Sequence, residues 1–338
     1  MTVVGIAEVA RLAGVSTATV SRALSGRGAV SAAAKQRVER AAAELGYVVS
    51  SNASSLASGR TRNVGVLMPV LDRWYFTTVL AGAQQALLHA GYDVTLYSLE
   101  GAHGERSRVF EHFLLRQRVD AVIAIALELS PEEVARLHQI GKPLVGVGGP
   151  MPGAPSLAVD DIAIARLATQ HLIALGHERI GHIGGGPEFD ADFHLPLRRQ
   201  QGFSDALGDA NLAPNPALVR DADFTIEGGY RAAKQLLGLP YRERPTAIFA
   251  ASDEMAIGAI LAARDLGLDV PTDISIVGVD DYDLSDFFGL TTVAQFPREQ
   301  GARAAQLLLD QLANGSAPID TALPFELRVR SSTTRPRS

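Results

Sequence analysis

The stretch AGVSTATVSRALSG, residues 13–26, decides the architecture of the N-terminal part of the chain. Its polar positions are small hydroxyl residues and one Arg, although Glu, Lys and Gln form helices better. Gly14 breaks an apolar helical pattern, and Ser16 is a good N-cap for a helix whose Val20 and Leu24 share one face. The stretch therefore predicts a tight turn followed by a helix with short side chains on its outer face.

Helical patterns flank this stretch on both sides. Val9 and Ala10 lie on the apolar face of a preceding helix, while Ser31 caps a following helix that Gly46 ends. Two helices separated by a tight turn, with a third helix bracing them, make a helix-turn-helix motif. We therefore predict a three-helix DNA-binding head over residues 1–48.

The charge of the chain is unevenly distributed. The net charge is −6, but residues 1–62 hold eight Lys or Arg against three acidic residues, a local charge of +5. The remaining residues therefore carry −11. A small basic head on an acidic body indicates a polyanionic partner for the head alone, the alternative being an ordinary solvated domain.

Composition excludes several classes of protein. The 338 residues contain no Cys, which rules out disulfides and Cys-ligated metals and suits a reducing cytoplasm. The first residues carry Glu8 and Arg11 within a short apolar pattern, so we expect neither a secretion signal nor a membrane span.

Residues 50–63, SSNASSLASGRTRN, have the composition of a linker, and we predict a linker or marginal hinge helix over 49–62.

The body alternates short β-rich runs with helical segments from Val64 onward. The runs are VGVLM, DVTLYS, DAVIAIA, PLVGV, RIGHIG, TAIFAA and ISIVGV. Near-continuous apolar strands separated by amphipathic helices predict parallel sheets covered on both faces. About 275 residues of this pattern are too many for one sheet, so we expect two similar lobes. Ligands of such sheets bind beyond the carboxyl ends of the strands. Strand ends carry Asp72, Gly184 to Gly186, Ser252 with Asp253, and Asp280 with Asp281.

Five segments, in this order, resemble the lactose-repressor/galactose-repressor family of bacterial transcription regulators. They are IAEVARLAGVSTATVSRALSG, VSAAAKQRVERAAAELGY, LIALGHERIGHIGG, FAASDEMAIGAI and ISIVGVDDYDLSDFFGLTTVAQ. The resemblance covers essentially the whole chain. It implies a homodimer whose heads lie in successive major grooves of palindromic operator DNA. The expected fold class is a three-helix helix-turn-helix head plus an α/β periplasmic-binding-protein-like core of two doubly wound parallel-sheet lobes.

The domain boundaries follow from these patterns together with the resemblance. We assign residues 63–338 to an effector-binding and dimerisation core. Its N-lobe is expected over about 63–160 and 291–320, and its C-lobe over about 161–290 and 321–330.

The outer face of the second helix supplies the expected DNA contacts. A recognition helix must come close to base edges, so short side chains with one long Arg suit it. We expect Thr17 and Ala18 to read bases and Arg22 to pair bidentately with a guanine. Further DNA contacts, chiefly to phosphates, are assigned to Ser16, Thr19, Ser21 and Ser31. The alternative is a solvated helix whose small residues serve only packing.

The resemblance also implies minor-groove binding by the linker. Leu56 matches the Leu that wedges into the central base step in the family, and Asn52 and Ala53 lie on the same segment. Where the family commonly has Pro then Asn, this chain has Val49 and Ser50, which departs from the usual linker contacts.

For the effector, the resemblance implies roles for Asp280, Arg199 and the aromatic Phe224. A carboxylate and a guanidinium facing each other across a cleft suit a hydroxyl-rich ligand, and an aromatic ring can lie against the apolar face of a sugar. The remaining expected effector residues are Asp72, Trp74, Tyr75, Phe76, Phe193 and Ser252. The alternatives are a surface ion pair for the charged residues and core packing for the aromatic ones.

The sequence favours a cytoplasmic, homodimeric repressor of sugar-utilisation genes that a small saccharide releases from DNA. We expect no cofactor and no metal, since His171, His177 and His182 have no clear ligand geometry. We expect no enzyme, since no nucleophile–base pair can be assembled. The alternatives are a regulator with a non-sugar corepressor and a saccharide-binding protein without DNA function.

Overall fold

A computed structural model describes most of the chain. The described residues are 4–25, 29–47, 60–99, 106, 108–110, 118–139, 141–151, 153–186, 193–315 and 320–337. They divide into two compact units, one holding the N-terminal residues up to Arg62 together with Gln117–Asp120, and one holding the rest.

The N-terminal unit contains the three predicted helices. They are α1 (Ile6–Ala13), α2 (Thr17–Ser25) and α3 (Ala32–Leu45). One fully buried Val from each helix, Val9, Val20 and Val38, meets in a small core whose other buried residues are alanines and against which larger, partly buried side chains pack. Gly14 has a φ of 63°, the left-handed conformation that the turn between α1 and α2 requires.

A buried carboxylate organises the end of this unit. Asp120 is 8% exposed, and its Oδ1 accepts hydrogen bonds from the Thr61 backbone N–H at 2.8 Å and the Thr61 hydroxyl at 3.0 Å. Its Oδ2 accepts from the Arg62 N–H at 2.8 Å. The three bonds hold the last residues of the predicted linker in one conformation.

The second unit contains two six-stranded sheets. The first has the strand order β11-β5-β4-β3-β1-β2 and the second β12-β10-β9-β8-β6-β7. All neighbouring strands are parallel except the pair β10 and β12. The strands are β1 (Asn63–Met68), β2 (Asp93–Ser98), β3 (Ala121–Ile125), β4 (Leu144–Val147), β5 (Ser156–Ala158), β6 (Ile180–Gly185), β7 (Val219–Ala222), β8 (Ala247–Ala250), β9 (Ser275–Asp280), β10 (Thr291–Ala294), β11 (Asp320–Ala322) and β12 (Glu326–Arg328).

Helices flank both sheets. They are α4 (Trp74–His89), α5 (Pro131–Gln139), α6 (Asp161–Ala174), α7 (Leu195–Asp209), α8 (Ile226–Leu237), α9 (Asp253–Asp265), α10 (Ser285–Phe288) and α11 (Pro297–Asn314). The inner strands β3, β4, β8 and β9 are buried at every residue, which explains their continuous apolar runs. The structure thus contains the predicted helix-turn-helix head and two lobes with doubly wound, mostly parallel sheets. These features confirm the predicted fold class.

The chain crosses between the lobes three times, and the crossings differ from the expected boundaries. Strand β10 pairs with β9 of the second sheet, so the second crossing follows Ala294 and not residue 290. Strand β11 pairs with β5 of the first sheet, so the third crossing follows Ala322 and not residue 320. Backbone pairing decides these boundaries, because strands as short as Thr291–Ala294 and Asp320–Ala322 have no sequence pattern that favours one sheet over the other.

Helices α4 and α11 cover the first sheet and cross each other at glycine. A Cβ at Gly301 would lie 1.9 Å from the Val79 carbonyl oxygen, and one at Gly82 would lie 1.9 Å from the Arg298 carbonyl oxygen. Only glycine allows the two backbones to approach this closely. The crossing sets the position of the N-terminal end of α4, which carries the aromatic residues of the cleft.

Candidate functional site

Helix α2 presents the predicted polar surface to solvent. Thr17, Ala18, Ser21 and Arg22 are exposed on one face, while Val20 and its neighbour Ala23 are buried on the other. The small residues of the outer face therefore make no contribution to the core of the head. This face, Thr17, Ala18, Ser21 and Arg22, is called the α2 surface below.

Several hydroxyls near this surface hold the helices in place. The Ser16 Oγ accepts from the Thr19 N–H at 3.2 Å and is hydrogen-bonded to the Thr19 hydroxyl at 2.9 Å. The Ser31 Oγ caps α3 by accepting from the Ala34 N–H at 3.3 Å. The three linker residues predicted to contact DNA, Asn52, Ala53 and Leu56, lie outside the described residues.

A buried ion pair lies at the carboxyl ends of the second sheet. Arg199 of α7 donates from Nε to Asp161 Oδ1 at 2.9 Å, and the side chains are 4% and 6% exposed. Arg199 also donates to the Ala251 carbonyl at the end of β8. Burial opposes the charge of the guanidinium, but Asp161 and Asp280 overcome this effect and raise its pKa. A fixed, ionised Arg therefore faces the cleft.

Asp280 at the end of β9 is the second charged group. It is 8% exposed, and its Oδ1 accepts from the Gln295 side-chain amide. Burial raises its pKa to about 6, while Arg199 acts in the opposite direction. Asp280 and Arg199 both belong to the second lobe, so they face the cleft side by side and not across it. The next residue, Asp281, is instead neutralised by Arg330 at 2.7 Å.

A chain of buried hydrogen bonds runs from Asp280 into the first lobe. Gln295, which follows β10 at a lobe crossing, donates to Asp280 and accepts at its backbone oxygen from the Gln300 amide at 2.6 Å. Gln300 on α11 accepts from the Tyr75 hydroxyl at 2.8 Å. Both Gln residues are 2% exposed. The glutamine chain, Asp280–Gln295–Gln300–Tyr75, thus connects the charged group to an aromatic wall of the opposite lobe.

Aromatic residues at the start of α4 close the cleft from the first lobe. The Trp74 indole donates from Nε1 to Asp283 Oδ2 at 3.0 Å and meets the Tyr282 ring edge-on at 5.2 Å. Tyr75 packs edge-on against Phe76 at 5.7 Å, and Phe76 also packs against the core. Trp74 therefore reaches the second lobe directly, while Phe76 serves the first lobe.

Two phenylalanines complete the walls from the second lobe. Phe193 and Phe224 have φ values of 56°, a conformation that bulky residues rarely adopt and that concentrates at functional sites. The Phe193 ring occupies the space where a side chain at Gly149 of the first lobe would lie, and its N–H donates to Glu128 at 3.2 Å. Phe224 is half-buried against the second-lobe core.

The remaining predicted positions differ in their roles. Ser252 is buried and caps α9 through a bond from the Met255 N–H at 3.3 Å. The side chain of Asp72 is 72% exposed and lies 3.7 Å from Arg73.

Glu254 lies two residues after Ser252 in the sequence. Its burial, together with the charge of Asp280, raises its pKa to about 7.

The three histidines considered as metal ligands, out of eight in the sequence, have other partners in the fold. His182 is stacked between Phe203 and Phe249, and burial lowers its pKa to about 4. His177 is hydrogen-bonded to Thr246 at 2.9 Å, and His171 is hydrogen-bonded to a Thr near the C-terminus. Across the described ranges, no group of three or more potential ligand side chains could hold a metal ion.

Among the described residues, no helix is long and apolar enough to span a membrane.

Sequence reasoning missed Asp161, Gln295, Gln300 and Asp283. Asp161 follows strand β5 in the pair Asp160-Asp161, the same arrangement that identified Asp280, so a signal for it was present. Gln300 gave no signal, because a Gln in a helical pattern is ordinarily a solvated residue. Gln295 directly follows β10 and ends one of the family-like segments, but it was not identified as a site residue.

Family models match both parts of the chain. Residues 5–50 match the model for bacterial regulatory proteins of the lacI family, and residues 169–333 match the model for a periplasmic binding protein-like domain. The HTH-type transcriptional repressor CytR of Escherichia coli strain K12 is 34% identical over 338 residues, covering 96% of this chain and 95% of that protein.

Solved structures agree with this assignment. The lac repressor dimer bound to operator and the anti-inducer ONPF has a TM-score of 0.84 at 30% identity, covering 98% of this chain and 100% of that one. The transcriptional regulator CelR in complex with cellobiose has a TM-score of 0.70 at 31% identity, covering 97% and 99%. The resemblance found in the sequence is confirmed, and the chain belongs to the lacI family of bacterial regulatory proteins.

Proposed function

We propose that this chain is a cytoplasmic, homodimeric repressor that binds palindromic operator DNA and releases it when a small saccharide enters the cleft between the two lobes. DNA recognition is assigned to the α2 surface, whose four exposed side chains contribute nothing to the core of the head. Ser16, Thr19 and Ser31 are assigned phosphate contacts in addition to the hydrogen bonds that they make within the head. The similar lac repressor dimer was solved on its operator, which supports this part of the proposal.

The observation that carries the effector assignment is the buried set of Arg199, Asp161 and Asp280. It offers several N–H donors and carboxylate acceptors at the strand ends, which is what vicinal hydroxyl groups require. The aromatic rings of Trp74 and Phe224 add surfaces for the apolar face of a sugar ring. The similar regulator CelR was solved with cellobiose, a disaccharide, which supports the same ligand class.

The glutamine chain suggests how the ligand acts. A saccharide hydroxyl bound to Asp280 competes for the same oxygens as Gln295, which follows a lobe crossing. A ligand with different affinities for two lobe arrangements shifts the balance between them. Because such coupling is reciprocal, operator DNA weakens saccharide binding by the same factor.

The experiment is an electrophoretic mobility shift with DNA from the gene's own promoter, preceded by a thermal-shift screen of a saccharide panel, because a bound ligand stabilises the fold. We expect a specific shift at low salt that one stabilising saccharide reverses. Absence of any shift, with and without the panel, would refute the regulator. A shift strengthened by the ligand would replace release with corepression.

A further inference from the structure

A second pocket lies at the opposite edge of the second sheet, where β6, β8 and β9 begin. Its cavity has a volume of about 90 Å³ and is partly open to solvent. A six-residue strand such as β6 is about 20 Å long. The pocket and the cleft therefore lie at opposite ends of the same strands, and none of the cleft residues described above lines the pocket.

The pocket is lined by three arginines and one carboxylate. Arg337 donates from Nη1 to Asp273 at 2.5 Å, which neutralises one of the three positive charges. Within the described parts of the chain, Arg179 and Arg244 have no carboxylate within 4.0 Å. The acidic residues next to them in sequence, Glu178 and Glu243, are exposed and do not line the pocket. Two guanidinium charges are thus left uncompensated on one concave surface.

The two uncompensated arginines are held side by side, and a buried donor of Arg244 lacks an acceptor among the described residues. Arg179 donates from Nε to the backbone oxygen of Arg244 at 3.0 Å, which fixes the two residues side by side. The Arg244 Nε is buried and has no hydrogen-bond partner among the described residues. Such a donor costs free energy unless an oxygen reaches it. Adjacent guanidinium groups match the oxygens of a phosphate group in charge and geometry.

We propose that this pocket is an anion site that binds the phosphate group of a small phosphorylated metabolite, separately from the saccharide cleft. Arg179 and Arg244 hold the phosphate, and Arg337 adds a third donor at the rim. Tyr241, which is 77% exposed, presents a ring beside them for the apolar part of the molecule. The site is independent of the effector assignment, since it uses a different edge of the sheet.

The test titrates inorganic phosphate into the full-length protein at constant ionic strength and follows the melting temperature and the heat of binding. The variant carries Arg179→Gln with Arg244→Gln, and the control carries Arg242→Gln, an exposed neighbour outside the pocket lining. We expect saturable stabilisation of the wild type and the control, and affinity reduced at least about tenfold in the double variant.

Two results would overturn the proposal. One is the absence of saturable phosphate binding to the wild type. The other is an equal response of all three proteins, which would place the phosphate elsewhere, for instance on the basic head. If the double variant does not fold, judged by circular dichroism before phosphate is added, the single Arg179→Gln variant replaces it under the same criteria. Saccharide-dependent operator release is measured in parallel and is expected to survive in every folded variant.

Discussion

Replacing Gln300 by Leu should expose the energetic role of the glutamine chain. Gln300 is 2% exposed, accepts from the Tyr75 hydroxyl at 2.8 Å and donates to the Gln295 backbone oxygen at 2.6 Å. Leu has a similar volume but leaves both partners without a hydrogen bond. Each orphaned polar group costs about 1 to 3 kcal/mol, so we expect a loss of stability of about 2 to 6 kcal/mol.

A double-mutant cycle separates the buried bond from packing. Tyr75→Phe alone should cost about 1 kcal/mol, because it removes the donor and leaves the Gln300 oxygen unsatisfied. The double variant, Tyr75→Phe with Gln300→Leu, removes both partners of that bond. It should therefore be less destabilised than the sum of the two single variants, by about 0.5 to 3 kcal/mol.

The assay is thermal unfolding of the four proteins, in which 1 kcal/mol shifts the Tm by about 2 to 4 °C for a unit of this size. Saccharide affinity and operator affinity are measured on the same proteins. Because the glutamine chain connects the two lobes, the single variants should still bind the operator but should need more saccharide for its release. Strict additivity of the two changes in Tm would refute the reasoning, since it would mean that the Tyr75–Gln300 bond contributes nothing.

Four further predictions follow from single residues. Arg22→Ala should cost about 1 to 3 kcal/mol of operator binding and relax preference at one base pair, as read from mobility shifts on operator variants; a uniform loss would indicate a phosphate contact. Asp280→Asn should abolish saccharide binding in calorimetry while operator binding persists, and unchanged affinity would remove Asp280 from the site. The pKa of Glu254 is about 7 in the folded state, above its ordinary value of 4.5, so the folded state binds more protons than the unfolded state between these pH values. The Tm should therefore fall as the pH rises from about 4.5 to 7. A Glu254→Gln variant with the same pH profile of Tm would contradict this. Gly301→Ala places a Cβ 1.9 Å from the Val79 carbonyl oxygen and should lower the Tm by several degrees, whereas an unchanged Tm would show that α4 and α11 can separate without cost.

The head and the order of strands and helices were predictable because their signals are local. The turn at Gly14, the caps at Ser16 and Ser31 and the helical spacing of Val9 depend on neighbours within one or two turns of helix. The continuous apolar runs predicted the buried strands for the same reason, since a strand covered on both faces tolerates few polar residues. Asp280 was found because the end of a parallel strand is a position that sequence can identify.

The cleft itself depended on tertiary structure, because its partners are far apart in sequence. Asp161 and Arg199 meet across 38 positions, Trp74 and Asp283 across 209, and the bond from Tyr75 ends 225 residues away at Gln300. No periodicity or cap encodes such pairs. The side-by-side placement of Asp280 and Arg199 in one lobe likewise follows from strand pairing.

What the sequence by itself determined is therefore the set of elements, the basic head and the strand ends where we predict that a ligand binds. What only the tertiary structure decided is which side chains meet there, where the lobes exchange strands, and that two arginines stand without a carboxylate at the far edge of a sheet. The physical reason is range: secondary structure is encoded by contacts a few residues long, whereas a binding site is made by backbone pairing and burial that bring distant residues together.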